Sequence, residues 1–170
     1  MPSLRYGSSA TPGHSNRVFS VKFNPRDPEV LLSGGWDNTV QIWDMRVGHS
    51  VRSIFGPHLS GDALDISGNE VLTGSWRPNN PLELWDFGSG ELIESIPWSA
   101  SGGRSQPTLL YSCQFSPSVE GKQYIGAGGS GSNKAKIFDY NNNNALVGTI
   151  SGMARGVFSL DFSPDPEDKK

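Results

Sequence analysis

Residues 33–44 read Ser33-Gly34-Gly35-Trp36-Asp37-Asn38-Thr39-Val40-Gln41-Ile42-Trp43-Asp44, and the pattern returns as Thr73-Gly74-Ser75-Trp76 followed by Leu82-Glu83-Leu84-Trp85-Asp86. A weaker third copy is Ala127-Gly128-Gly129-Ser130, then Ala135-Lys136-Ile137-Phe138-Asp139. Trp43 and Trp85 are 42 residues apart, and Trp85 and Phe138 are 53 apart. Self-similarity at a period near 40 marks a repeat architecture, in which one supersecondary unit is copied and stacked.

Outward from this stretch, short alternating apolar runs lie between turn signals, the pattern of half-buried strands. Arg17 to Phe23 alternates and is broken by Asn24-Pro25 and Asp27-Pro28. Glu29 to Ser33 follows, read as ending at Gly34-Gly35, then Thr39 to Trp43 and Val51 to Phe55. No stretch of ten residues carries a helical period, so the units read as antiparallel sheet. The opening strand recurs too, ending at Phe23, Ile66, Phe115 and Phe162. These marks divide the chain into an N-terminal segment, 1–12, and units at 13–55, 56–98 and 99–150. A polar insertion occupies 99–107, and residues 151–170 hold the first strand of a fourth unit and a polar tail. Leu4-Arg5-Tyr6 fits the last strand of a preceding unit.

Composition agrees with many turns. Of 170 residues, 21 are Gly and 12 are Pro, while 35% are hydrophobic and 18% charged. The net charge of -3 and the lack of a basic block argue against nucleic acid as the main partner. A single cysteine, Cys113, excludes an intrachain disulfide framework. No apolar run reaches the length of a membrane span. The start, Met1-Pro2-Ser3-Leu4-Arg5, lacks the apolar centre of a secretion signal. An intracellular location is the expectation, in the cytoplasm with nucleus or cilium as alternatives, and with no membrane partner.

Gly13-His14, Trp43-Asp44, Gly56-Pro57-His58, Trp85-Asp86 and the Ser-Gly-Gly-x-Asp turn resemble the WD-repeat β-propellers. The resemblance covers residues 13–150, and 155–162 as the first strand of a further unit. It implies an all-β fold of propeller blades, each a four-stranded antiparallel sheet, here three complete blades plus one strand. It also implies a hydrogen-bonded relay of His, Ser or Thr, Asp and Trp in each unit. His14, Ser33, Asp37 and Trp43 fill all four places in the first unit. The second keeps His58, Thr73 and Trp85 but has Arg77 in place of the aspartate, and the third keeps none. The later blades are therefore expected to be less rigid and to depend on packing.

Members of this family act as rigid interaction platforms, and the face from which the turns emerge is where partners dock. Transferred by register, that face holds Arg17, Phe19, Trp36, Ser60, Asp62, Trp76, Leu109, Tyr111, Arg155 and Phe158. Its aromatic and arginine content matches the residue types that dominate binding hot spots. Trp36 and Trp76 have a second reading, as caps packed over neighbouring blades.

Other chemistries fit less well. A Ser-His-Asp set invites a hydrolase reading, but the Ser33 position is duplicated as Thr73 in the next unit and no Gly-x-Ser-x-Gly elbow occurs. Gly126-Ala127-Gly128-Gly129-Ser130-Gly131 spells a dinucleotide fingerprint, yet it leads into an alternating strand rather than a helix. It reads as a glycine turn. Cys113 reads as a core residue and His49 as a loop histidine. Three histidines and one cysteine without ligand spacing predict no metal, and nothing predicts a cofactor or an enzymatic activity. Three blades and a strand do not close a propeller, which takes four to eight. The chain is thus expected to be a fragment of a longer protein, or a half-propeller completed by a partner or a second copy. Protein partners are expected in either case.

Overall fold

The computed structural model describes residues 13–98, 107–117 and 123–163. Within them, twelve strands form three four-stranded antiparallel sheets, and one short 3-10 turn at Tyr140–Asn142 is the sole helical element. The first sheet contains β1 (Val18–Asn24), β2 (Asp27–Gly35), β3 (Thr39–Asp44) and β4 (His49–Phe55). The second contains β5 (Leu64–Ser67), β6 (Glu70–Gly74), β7 (Leu82–Asp86) and β8 (Leu92–Ile96). The third contains β9 (Leu109–Phe115), β10 (Tyr124–Ser130), β11 (Ala135–Asp139) and β12 (Ala145–Ile150). In each sheet strands pair in chain order, so each is an up-and-down meander and each is one blade.

The hairpins explain two repeated sequence marks. Between the second and third strands Asn38, Asn80 and Asn133 adopt left-handed backbone, with φ of 59°, 45° and 48°. Asparagine tolerates this region better than most side chains. Between the third and fourth strands, the aspartate that follows Trp43, Trp85 or Phe138 closes the turn. Asp44 accepts from the Arg46 N–H at 2.9 Å, Asp86 from the Ser89 N–H at 2.6 Å, and Asp139 from the Asn141 N–H at 3.1 Å. Such Asx turns are a common way to reverse a chain.

The core lies between blades, not within them. One cluster joins Val30, Leu32, Val40, Ile42 and Ile54 of blade 1 to Leu64, Ile66, Val71 and Trp85 of blade 2. A second joins Leu72, Leu82, Leu84, Ile96 and Trp98 of blade 2 to Cys113, Phe115, Ile125, Ala127 and Phe138 of blade 3. Each blade thus presents one apolar face forward and another backward along the array. Burial pushes the Cys113 thiol well above its ordinary range, in keeping with its place in the second core.

Three expectations change. Gly34-Gly35 does not end β2 but forms its last two residues. A Cβ on Gly34 would lie 2.6 Å from Leu59, and one on Gly35 would fall on the Arg17 carbonyl. The dinucleotide-like run is likewise strand through Ser130, with only Gly131 beyond it; a Cβ on Gly128 would lie 2.5 Å from Val157. These glycines admit close neighbours, so they are packing sites more than turns. Finally, residues 151–163 carry no assigned strand. They run along blade 3, where the Val157 N–H donates to the Gly129 carbonyl at 3.0 Å, but no second strand pairs with them among the described residues. The Leu4-Arg5-Tyr6 strand and residues 99–106 of the insertion lie outside the described residues.

Candidate functional site

In blade 1 the register sets Ser33 of β2 opposite Gln41 of β3, with Trp43 two residues along the same face. The Gly13-His14 turn folds over them, and a Cβ on Gly13 would stand 3.1 Å from the Trp43 ring. His14 Nδ1 lies 2.7 Å from Asp37 Oδ2, and His14 Nε2 lies 2.7 Å from Ser33 Oγ. Trp43 Nε1 donates to the same Oγ at 2.7 Å. With a neutral imidazole, only one pattern of protons satisfies this set. Asp37 can only accept, so His14 Nδ1 carries the proton; Nε2 then accepts from the Ser33 hydroxyl, whose oxygen accepts from Trp43. Partial burial works against the Asp37 charge, but hydrogen bonds from His14, Thr39 and the Ser15 N–H hold its carboxyl below the usual range.

The chain of bonds runs further than the four expected residues. Thr39 Oγ1 donates to Asp37 at 2.9 Å and accepts from Gln41 Nε2 at 3.0 Å. Gln41 Oε1 accepts from Ser50 at 2.6 Å and Ser53 at 2.7 Å. In the sequence this extension is signalled by the alternation of Thr39 and Gln41 on β3 opposite Ser53 on β4, outside the four-residue motif.

Blade 2 solves the same problem differently. Trp85 Nε1 donates to Thr73 Oγ1 at 2.9 Å, and Gly56 covers the Trp85 ring as Gly13 covers Trp43. His58, expected in this relay, is not part of it: its Nδ1 meets Asn38 Oδ1 at 2.8 Å and its ring stacks on Trp36. With Arg77 at the aspartate position no carboxylate stands at the turn to orient the imidazole. Arg77 instead approaches Glu83 Oε2 at 2.5 Å and donates to the carbonyls of Gly56 at 3.0 Å and Asn80 at 3.1 Å. The Glu83 contact is close but not aligned as a good hydrogen bond, because that oxygen finds no well-directed donor. Burial pushes the Glu83 carboxyl upward, and Arg77 and Ser95 pull it only part of the way back. Blade 2 therefore does not depend on packing alone, as the sequence had led us to expect.

Blade 3 removes the polar pair altogether. Ala127 stands where Ser33 and Thr73 stand, opposite Lys136 as they are opposite Gln41 and Glu83. Phe138 replaces the tryptophan, so an N–H and its acceptor are lost together. Replacing both partners of a buried hydrogen bond by apolar groups is close to neutral, whereas losing one is costly. The Lys136 ammonium reaches the Trp98 carbonyl and lies over the Trp98 ring.

The aromatic positions form two clusters. Phe19 packs on Trp36 with ring centroids 5.1 Å apart, and the Arg17 guanidinium lies 5.1 Å from the Trp36 ring centre. Trp36 Nε1 donates to Ser60 Oγ of blade 2 at 2.7 Å. In the second cluster Trp76 Nε1 donates to the Tyr111 hydroxyl of blade 3 at 2.8 Å, and Tyr111 packs on Phe158 at 4.9 Å. Each indole thus ties its blade to the next, yet Trp76, Phe19 and Phe158 stay exposed. Asp62, Leu109 and Arg155 stand outside both clusters. Asp62 accepts from Ser20 at 2.8 Å and faces Lys22 at 3.4 Å, the half-buried Leu109 backs onto Gly129, and Arg155 is exposed.

These features define an array of about three propeller blades. The sequence model of the WD domain, G-beta repeat, matches residues 8–44. The small ribosomal subunit protein RACK1 of Drosophila melanogaster is 32% identical over 87 residues, 46% of this chain and 27% of that protein. The transcriptional corepressor LEUNIG_HOMOLOG of Arabidopsis thaliana is 26% identical over 91% of this chain and 18% of its own length. The protein transport protein SEC31 of Saccharomyces cerevisiae is 25% identical over 91% of this chain and 13% of its own. The chain carries a WD repeat at residues 8–44 and is similar to WD-repeat proteins, and it spans about a quarter or less of the length of these relatives. Among solved structures, the designed Ika4 protein superposes with a TM-score of 0.68 at 21% identity, over 91% of this chain and 85% of that one. The designed Ika8 protein gives 0.67 at 22%, over 89% of this chain and 42% of that one. These two likenesses concern the fold alone.

Proposed function

We propose that this chain is a non-catalytic platform for protein partners, which dock on the face formed by Arg17, Phe19 and Trp36 with Trp76, Tyr111 and Phe158. The observation that carries the reading is the double use of the two indoles. Each N–H is already satisfied inside the array, so the rings are locked in one position while apolar surface beside them faces water. Rigid aromatics held in place lose little entropy when a partner covers them. Capping and binding are therefore compatible roles. WD-repeat relatives support a scaffold role in general terms, and their names place them in the ribosome, in transcriptional corepression and in protein transport. An intracellular setting follows for the proposal.

The Ser33–His14–Asp37 geometry imitates a nucleophilic triad, but Ser33 is 4% exposed and its oxygen is engaged by both His14 and Trp43. A nucleophile needs access and an oxyanion site, so the relay is assigned to holding the turn. Partners retained from native lysate by the wild-type chain are identified by mass spectrometry and compared with two double variants. Phe19→Ala/Phe158→Ala leaves both indole bonds intact, and Trp36→Ala/Trp76→Ala removes the indoles. Loss of the same partners from both variants, with circular dichroism unchanged, is the expected result. An unchanged list for both would overturn the docking face.

A further inference from the structure

Residues 157–162 read Val157-Phe158-Ser159-Leu160-Asp161-Phe162, and β1 begins Val18-Phe19-Ser20-Val21-Lys22-Phe23. The two segments share Val-Phe-Ser, an aliphatic residue and the final Phe at the same spacing. The first shows what such a segment does. Val157 sits over Gly128, and Leu160 and Phe162 sit over Gly126. The Val157 N–H donates to the Gly129 carbonyl at 3.0 Å, and the Leu160 N–H donates to Ser112 Oγ at 3.2 Å.

This seating repeats at both interfaces between blades. The Leu59 N–H donates to the Gly35 carbonyl at 3.1 Å while Leu59 covers Gly34. The Leu110 N–H donates to the Ser75 carbonyl at 3.2 Å while Leu110 covers Gly74. The strand register makes Val21 and Phe23 of blade 1 equivalent to Leu64 and Ile66 of blade 2 and to Cys113 and Phe115 of blade 3. In blades 2 and 3 these four side chains are at most 5% exposed, buried against the preceding blade; Val21 and Phe23 are 52% and 59% exposed. The opposite end of the array has the matching deficit. Ile54 and Ile96 are buried at the forward faces of blades 1 and 2, and their counterpart Ile150 is 59% exposed.

We propose that two copies of the chain associate head to tail, the β1 strand of one copy replacing residues 157–162 on blade 3 of the other. The blade 3 face is a groove for an extended Val-Phe-Ser-aliphatic-x-Phe segment, and β1 carries that segment with its apolar side uncovered among the described residues. The interface between copies continues the one that already joins blades 1 and 2 and blades 2 and 3. The incoming β1 also brings its whole sheet, setting Leu31 and Trp43 against the face of Ala135, Ile137 and Ile150. Among the described residues, 157–162 bring no paired strand. A contact of this kind joins different faces, so it ends growth only by closing a ring. Two arrays of three blades give six, within the range of closed propellers.

Sedimentation velocity on the full chain over a hundredfold concentration range tests this. Wild type is expected to dimerise, and Val21→Asp/Phe23→Asp, which alters exposed residues, is expected to weaken the dimer at least tenfold with unchanged circular dichroism. Leu160→Asp/Phe162→Asp empties the groove and is expected to tighten it at least tenfold. As a second measurement that does not rely on that variant folding, a synthetic peptide spanning residues 16–25 is titrated into wild type, where it should dissociate dimers. Wild type that stays monomeric at the highest concentration, a dimer indifferent to Val21→Asp/Phe23→Asp, or a peptide without effect would each overturn the proposal. The docking face described above includes Phe19 of β1 and Phe158 of the displaced segment but neither Val21 nor Phe23, so its partners should survive the β1 substitutions.

Discussion

Blades 1 and 2 hold the same backbone turn with opposite chemistry. In blade 1 a carboxylate at the turn, Asp37, ends a chain of neutral donors and acceptors that runs through His14 and Ser33 to Trp43. In blade 2 a guanidinium at that position, Arg77, faces a carboxylate on the central strand, Glu83, where blade 1 carries neutral Gln41. The indole bond to a hydroxyl survives in both. What the two blades share is therefore not a particular set of four residues but an acceptor for the buried indole N–H. Blade 3 needs no such acceptor, because its inner pair has no polar group.

The comparison breaks most severely at Arg77. Arg77→Ala leaves the Glu83 side chain, 5% exposed, without its counter-charge, and a loss of about 3 kcal/mol at neutral pH is expected. Urea unfolding measures it. Because the folded-state pKa of Glu83 is raised, the wild-type folded protein binds more protons than the unfolded one between the ordinary glutamate range and the raised value. Glu83 thus makes stability fall as pH rises through that window. The Arg77→Ala deficit should shrink on acidification, and Glu83→Gln should flatten the wild-type decline. Asp37 behaves in the opposite sense. Its folded pKa is lowered, so its contribution is present above the ordinary aspartate range and is lost as pH falls through the lowered value.

Next in size is the hydroxyl shared by the relay. Ser33→Ala leaves both the Trp43 N–H and His14 Nε2 without partners and should cost about 2 kcal/mol. Thr73→Val orphans only the Trp85 N–H and should cost about 1 kcal/mol. Equal losses in the two blades would mean that His14 adds nothing to the relay. Ser33→Ala combined with Trp43→Phe, the arrangement blade 3 uses, should lose less than the two single changes together. The smallest effect is expected at the blade junction. Trp76→Phe keeps the ring but removes the bond to the Tyr111 hydroxyl at an exposed site, a loss of about 0.5 kcal/mol read as a small shift of the urea midpoint.

Much of this was legible in the chain. The Trp-Asp and glycine marks placed β2, β3, β6 and β7, because those marks are local: an Asx turn or a left-handed asparagine is set by neighbours in sequence. Blade 1's four relay residues could be named from their motif. The replacement pair Arg77 and Glu83 could not, because neither residue type announces a partner six positions away across a turn. His58 was misplaced for a related reason: its motif matched, but the carboxylate that would orient it was absent, and Asn38 of the preceding blade captured it. In sequence the glycines at 34, 35, 128 and 129 look like turn residues, because flexibility is glycine's usual meaning. Their other use, admitting a neighbour where a Cβ would collide, depends on what lies above them.

The class of fold, the three blades and the hairpins are written in local features of the chain, since alternation, period and turn chemistry act within a few residues. Packing between blades sets which polar residues meet, that both indoles bridge to the following blade, and that Val21 and Phe23 face outward while their counterparts are buried. Alternation fixes that such residues share one face of a strand. Whether that face meets water or another sheet depends on the neighbouring blade, a relation between segments some forty residues apart that no local pattern encodes.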